Sequence, residues 1–182
     1  MKKAGAVLLG IAAFAAIPAL AHDEGNRFGA NLIGYQEVPA LSTGASARWD
    51  AVIDERNSTV DWQLTYSGPF EGTVTQSHIH FGQRGVNGGI SVFFCSNLGN
   101  GPAGTQACPQ PTAAEPTVMI SGTFTPANVI GPAGQGITAG QFDELIRAIR
   151  AGVTYTNIHT TAFPGGEIRG QVRRGHSRGD RD

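Results

Sequence analysis

Three histidines are the residues of this chain whose type and spacing best fit a chemical site. His78 and His80 lie two positions apart in a run, 77–82, that is typical of a β-strand. Successive side chains of a strand point to opposite faces, so the two imidazoles are predicted to share one face. His159 lies in a second strand-like run, 155–160. Neutral imidazole is the commonest transition-metal ligand, and three such nitrogens would suit Zn²⁺ or Cu²⁺.

A buried hydrogen-bond network is the alternative interpretation of the same histidines. Glu37, Glu167 and Arg169 carry charge near the histidine-bearing runs, and Glu167 and Arg169 are predicted to share one face of the last strand. Because buried polar groups must be paired, such a cluster could join the strands without any ion. Convergence of the histidine nitrogens on one point favours a metal site. Bonding of each histidine to a carboxylate or a backbone group favours the network.

Other chemistries find little support in the sequence. It contains no phosphate-binding loop, no His-Glu-x-x-His and no nucleophile elbow, so we assign no catalytic residue and do not favour an enzyme. After residue 21 there is no lysine, and eleven arginines against fourteen acidic residues leave a net charge of −3. This balance offers no basic face for a nucleic acid.

The first 21 residues are typical of a secretory signal peptide. Lys2 and Lys3 precede an apolar run, 6–20, which ends in the small-x-small sequence of residues 19–21. The run is too short for a membrane span, and no later stretch is apolar enough to form one. We therefore expect a secreted or periplasmic protein. Cleavage would leave His22 at the start of a flexible segment, 22–28, where an amino-terminal histidine could chelate copper but a solvated end is favoured.

Two cysteines, Cys95 and Cys108, both lie in the exported part of the chain. Disulfides form and persist outside the cytoplasm, so the pair is predicted to be bonded. The bond would close a loop rich in glycine, asparagine and proline.

The pattern of the remaining chain predicts an all-β fold, an antiparallel β-sandwich or barrel of about seven to eight strands with one short α-helix. Apolar residues alternate with polar ones in 45–53 and 60–66, which indicates a hairpin with one buried face. The helix is predicted to start at Thr138 as N-cap and to end at Gly152. Its apolar stripe is predicted to face the core. The charged tail, 174–182, is predicted to be disordered.

Four strings of residues together resemble the CHRD domain, the module that is repeated in the animal developmental antagonist chordin and occurs singly in many bacterial exported proteins. They are Gly-Tyr-Gln-Glu-Val-Pro at 34–39, His-Ile-His-Phe-Gly at 78–82, Tyr-Thr-Asn-Ile-His-Thr at 155–160 and Phe-Pro-Gly-Gly-Glu-Ile-Arg-Gly at 163–170. The resemblance implies one CHRD-like domain over 29–173. It further implies a non-enzymatic extracytoplasmic module whose partner is an unknown protein or small ligand. Growth-factor binding is not carried over to this exported chain.

The string at 78–82 also looks locally like the copper-ligand strand of Cu/Zn superoxide dismutases. Those enzymes need further histidines in the following loop, whereas this chain has none between Phe81 and Ile158. A binuclear site is therefore not predicted. Two classes stay open: a binding or structural module, which is favoured, and a small mononuclear copper or zinc metalloprotein built on the three histidines.

Overall fold

The computed structural model describes residues 24–175, which form nine strands, one α-helix and several short 3-10 turns. The elements in chain order are β1 Arg27–Ile33, β2 Ser46–Asp54, β3 Thr59–Ser67, β4 Val74–Phe81, β5 Gly89–Ser96, β6 Thr117–Phe124, α1 Phe142–Arg150, β7 Thr154–Thr160, β8 Ile168–Gln171 and β9 Arg173–Arg174. Within these residues no helix is both long and apolar enough to cross a bilayer.

All strands belong to one antiparallel sheet that is nearly closed into a barrel. The strand order is β5-β4-β7-β8-β1-β2-β3-β6, and β9 pairs with β1. The two ends of this order approach each other, since the rings of Phe94 on β5 and Phe124 on β6 lie 5.5 Å apart. The predicted all-β class with a single helix is confirmed, at eight to nine strands.

The hydrophobic core fills the inside of this barrel. On β2 and β3 the predicted alternation holds, and the register pairs Trp49 with Leu64 and Ala51 with Trp62, so that their apolar side chains share one buried face. Phe94 reaches across from β5 and lies 4.8 Å from the Trp62 ring. Aromatic contacts of this kind stabilise the packing beyond simple area burial.

Helix α1 covers part of the core but begins later than Thr138. The Thr138 backbone N–H donates to the Gln141 side chain at 2.7 Å, which is half of the predicted capping box, and the helix itself starts at Phe142. The apolar stripe is buried as predicted. Gly152 has a φ of 70°, the left-handed conformation that ends a helix and that glycine adopts most easily.

Two predicted boundaries differ from the structure. Residues 24–28, expected to be flexible, form a 3-10 turn and the start of β1, because Arg150 on α1 bonds to the backbone oxygen of Gly25 and the side chain of Asn26. Arg174, expected to open the tail, pairs with Phe28 as part of β9. The predicted signal peptide and tail residues 176–182 lie outside the described residues and stay predictions.

Cys95 and Cys108 form the predicted disulfide, 13 residues apart in sequence. The Asn97 side chain donates to the backbone oxygens of Val74 and Cys108. The Gln110 side chain both donates to the Val74 oxygen and accepts from its N–H. The closed loop is thus fastened to the first residue of β4, the strand that carries His78 and His80.

Replacing both cysteines by alanine is expected to lower the free energy of unfolding by roughly 3 kcal/mol, since the cross-link removes loop-closure entropy from the unfolded chain. Urea denaturation of the variant and of wild type, each with and without reductant, measures this. Reduction should shift the midpoint of wild type alone. Equal midpoints for variant and oxidised wild type would contradict the expectation.

Candidate metal centre

The histidines of β4 lie on the face of the sheet that points away from the hydrophobic core. Ile79 is fully buried in the core, whereas His78 and His80 point to the opposite side. They are nevertheless only 0% and 7% exposed, because the loop 82–88 covers this face. Strand β4 is therefore buried on both faces, one apolar and one polar.

The register between β4 and β7 brings His159 to the histidine pair. His80 lies opposite Tyr155, His78 opposite Asn157, and Gln76 opposite His159. Residues 155, 157 and 159 share a face of β7, so the His159 ring centroid lies 4.8 Å from that of His78 and 6.1 Å from that of His80. One nitrogen from each histidine lies within 4.8 Å of the other two. The predicted convergence of the three side chains is present.

Backbone carbonyls fix the tautomers of two histidines. His80 Nδ1 lies 2.9 Å from the Gly88 oxygen and His159 Nδ1 lies 2.8 Å from the Pro164 oxygen. A carbonyl only accepts, so each Nδ1 carries the proton and donates. The Nε2 atoms of His80 and His159 are therefore unprotonated lone-pair donors. This outer hydrogen bond is the one that metal-binding histidines usually make.

The spacing of the closest pair fits an ion between them. His78 Nδ1 lies 3.3 Å from His80 Nε2. Nitrogens bound at 2.0–2.1 Å in a tetrahedral shell lie roughly 3.3 Å apart. A movement of the His159 ring toward this pair would complete a set of three nitrogen ligands.

Burial keeps all three imidazoles neutral. Desolvation lowers the pKa of His78 to about 2, with further lowering by His159 and His80. Desolvation likewise lowers the pKa of His80 to about 4, partly offset by its bond to Gly88, and lowers the pKa of His159. Neutral imidazole is the form that binds metals, so at neutral pH no histidine here has to lose a net proton to bind an ion.

Several buried polar atoms around the histidines lack a hydrogen-bond partner within residues 24–175. They are His78 Nε2, His159 Nε2, Asn157 Oδ1 and Glu37 Oε1. An unpaired buried donor or acceptor costs about 1–3 kcal/mol. A species bound on this face of the sheet would give these atoms partners and so remove that cost. The donor set of three neutral nitrogens fits Zn²⁺ or Cu²⁺.

Arg169 and Tyr155 form a stacked column beside His80. The Arg169 guanidinium lies 3.4 Å from the Tyr155 ring centroid, and the Tyr155 ring stacks parallel on His80 at 4.7 Å. Arg169 also donates to the backbone oxygens of Gln83 and Val86 and to the side chain of Asn87, all in the covering loop. The column thus ties this loop to the histidine face.

Glu37 and Glu167, predicted together with Arg169 as one polar network, lie in different surroundings. Burial raises the pKa of Glu37 to about 7, and the nearby Arg169 charge lowers it in part. Glu167 precedes β8 and accepts hydrogen bonds from the Thr43 hydroxyl, the Thr160 hydroxyl and the Glu71 N–H. Its bonds therefore tie loops to β7 and do not reach the histidines.

Asn157 and Tyr155 are site residues that the sequence analysis missed. Neither residue was singled out for the site. Both alternate with His159 along one strand, so period-two reasoning places all three on the same face. Their position beside His159 therefore follows from the alternation along the strand once 155–160 is identified as a strand.

A nearly closed antiparallel sheet with a buried three-histidine face defines an all-β module of the kind that the four sequence strings predict. The family model for the CHRD domain matches residues 28–172, which is most of the chain. The chain belongs to the CHRD domain family. No curated protein and no solved structure matches it.

Proposed function

We propose that this protein is an extracytoplasmic CHRD-domain module that holds one Cu²⁺ or Zn²⁺ ion with His78, His80 and His159. The observation that carries the proposal is the convergence of three neutral imidazoles, two of which have their Nε2 lone pairs fixed by backbone carbonyls. Bound there, the ion would act as a Lewis acid or, for copper, as a redox centre. We assign ion binding to the site and no reaction.

The extracytoplasmic location is supported by two features of the chain. The Cys95–Cys108 disulfide is of a kind that persists in oxidising compartments, and the first 21 residues have the pattern of a signal peptide. Membership of the CHRD family fits the same location.

A module whose histidines only join strands and loops is the second candidate. The bonds of His80 to Gly88 and of His159 to Pro164 favour it, because they fasten two covering segments to the sheet. Its partner would be a protein or small ligand outside the cytoplasm. This candidate leaves the Nε2 atoms of His78 and His159 unpaired, which is why the metal site is preferred.

Titration of untagged protein with Zn²⁺ and with Cu²⁺ is expected to show one ion bound per chain with a Kd of about 1 µM or tighter. His80→Ala is expected to weaken this binding by more than about 100-fold, since a lost ligand costs more than the 10- to 100-fold of a lost outer partner. His176→Ala, which changes a histidine outside the described residues, is the control and should bind as wild type does. Isothermal titration calorimetry measures both quantities.

Binding no tighter than millimolar, or equal binding by wild type and His80→Ala, would end the metal proposal. The module whose histidines only join strands and loops would then remain.

A further inference from the structure

We propose that Asn157 is a positioning residue that makes His78 bind the ion through Nδ1, whereas His80 and His159 bind through Nε2. This inference rests on the proposed metal site and assigns its ligand atoms. It follows from the hydrogen-bond donors and acceptors around His78.

Within residues 24–175, protonation at Nδ1 is the arrangement that gives His78 a hydrogen bond in the ion-free protein. His80 Nε2 is a lone pair, because His80 Nδ1 donates to the Gly88 oxygen. His78 Nδ1 lies 3.3 Å from that lone pair, so a hydrogen bond between them requires the proton on His78 Nδ1. His78 Nε2 is then an unprotonated nitrogen, and it has no partner in the described part of the chain.

An ion held between His78 and His80 reverses this arrangement. The ion takes the lone pairs of His78 Nδ1 and His80 Nε2, so the His78 proton has to leave Nδ1. A neutral imidazole keeps one proton, which therefore moves to Nε2, with no net gain or loss of protons. Buried within the sheet face, that new N–H needs an acceptor.

Asn157 supplies the acceptor. It is the direct cross-strand partner of His78, is 2% exposed, and its Oδ1 has no hydrogen bond within residues 24–175. The two atoms are not hydrogen-bonded to each other in the ion-free structure, so His78 and Asn157 would move closer when the ion binds. A bond from His78 Nε2 to Asn157 Oδ1 would then pair two atoms that the ion-free arrangement leaves unpaired. The hydrogen bond that His78 loses to His80 is thus replaced by one to Asn157.

The Asn157 amide has its N–H₂ end on the side of Glu37. Asn157 Nδ2 and Glu37 Oε1 both border the point that a Cβ on Gly166 would occupy, so the amide N–H₂ end lies on the Glu37 side. Gly166 has a φ of 124°, and any larger residue there would meet the Glu37 carboxyl. With Nδ2 toward Glu37, Oδ1 is left for the histidine side.

Long-range ¹H–¹⁵N correlation spectra of ¹⁵N-histidine-labelled protein test the ligand atoms directly. Without metal, all three histidines should show protonated Nδ1. With one equivalent of Zn²⁺, His78 alone should change to protonated Nε2, while His80 and His159 keep the proton on Nδ1. Zinc bound through Nε2 of all three histidines, or an ion-free His78 protonated at Nε2, would overturn the inference.

Paired substitutions test the role of Asn157. Asn157→Leu removes the acceptor at similar volume and is expected to weaken Zn²⁺ binding 10- to 100-fold, whereas Asn157→Asp keeps an acceptor and should stay within about threefold of wild type. Thr156→Val, on the opposite face of β7, is the control for disturbance of the strand and should bind as wild type does. The His78 proton should stay on Nδ1 in zinc-treated Asn157→Leu.

The outcomes separate the two proposals. If wild type binds no Zn²⁺, the metal site and this inference fall together. If wild type binds Zn²⁺ but Asn157→Leu binds equally well, only the role of Asn157 falls. Should Asn157→Leu not fold, the wild-type spectra and Asn157→Asp still decide.

Discussion

Between pH 6.5 and pH 4.5 the ion-free protein is expected to lose about 2 to 4 kcal/mol of its free energy of unfolding. The pKa of His78 is about 2 and that of His80 about 4 in the folded protein, against 6.5 for a free imidazole, and that of His159 is also lowered. Below pH 6.5 the histidines of the unfolded chain therefore bind protons, whereas the buried histidines of the folded chain do not. Each fully shifted histidine then costs up to about 1.4 kcal/mol per pH unit.

Glu37 acts in the opposite direction over the same range. Its pKa is raised from 4.5 to about 7, so the folded protein holds a proton that the unfolded chain releases. Its contribution is present at low pH and lost as pH rises, which offsets about 2 kcal/mol of the histidine effect. Glu37→Gln should therefore make the loss of stability on acidification steeper by about that amount.

Urea denaturation midpoints are measured in half-unit steps from pH 7.5 to 4.5, in the presence of a chelator. They give the dependence of stability on pH for wild type and for Glu37→Gln. Because native domains are stable by only about 5–15 kcal/mol, the expected loss is large. A stability that stays flat or rises on acidification would contradict neutral buried histidines. Saturating Zn²⁺ should raise the midpoint at every pH of this range with little change in the pH dependence, since the buried histidines stay neutral with or without the ion.

Arg169→Met is expected to destabilise the protein by about 3 kcal/mol and to speed release of the ion by about 10-fold. Arg169 is 1% exposed and donates to Gln83, Val86 and Asn87 in the covering loop. Methionine keeps most of the volume over Tyr155 but leaves these three acceptors without their buried donor. The loop then has fewer bonds to the histidine face.

Urea denaturation gives the stability change, and transfer of Zn²⁺ to a chromogenic chelator gives the release rate. The matched control is Arg48→Met, which removes an arginine from an exposed ion pair with Asp50. Such pairs contribute about 0–1 kcal/mol, so this variant should be near wild type in both measurements. An Arg169→Met protein with unchanged release would show that the loop does not control access.

Local patterns in the sequence predicted the strands and the shared face of His78 and His80, because strand alternation depends only on neighbouring residues. They left open which face of β4 lies inside, since Ile79 on one side and the histidines on the other are all buried. The structure puts Ile79 in the core and the two histidines under the loop 82–88.

The register between strands that are distant in sequence could not be predicted from local patterns. His78 and Asn157 are 79 positions apart in sequence, and their pairing follows from how the whole sheet assembles. The carbonyls of Gly88 and Pro164 that fix the tautomers belong to loops, and any residue type carries a carbonyl. Glu167 shows the converse, because its charge suggested a histidine partner whereas the hydroxyls of Thr43 and Thr160 and the backbone N–H of Glu71 surround it.

The covering loop has a kinetic consequence for a site buried on this face. With the three histidines at most 7% exposed, an ion reaches them only in the fraction of molecules whose loop has opened. The observed association rate then levels off at high ion concentration, at the rate of loop opening. In the proposed metal site, residues that hold the loop, such as Arg169 and Tyr155, would therefore set how fast an ion exchanges as well as how stable the fold is.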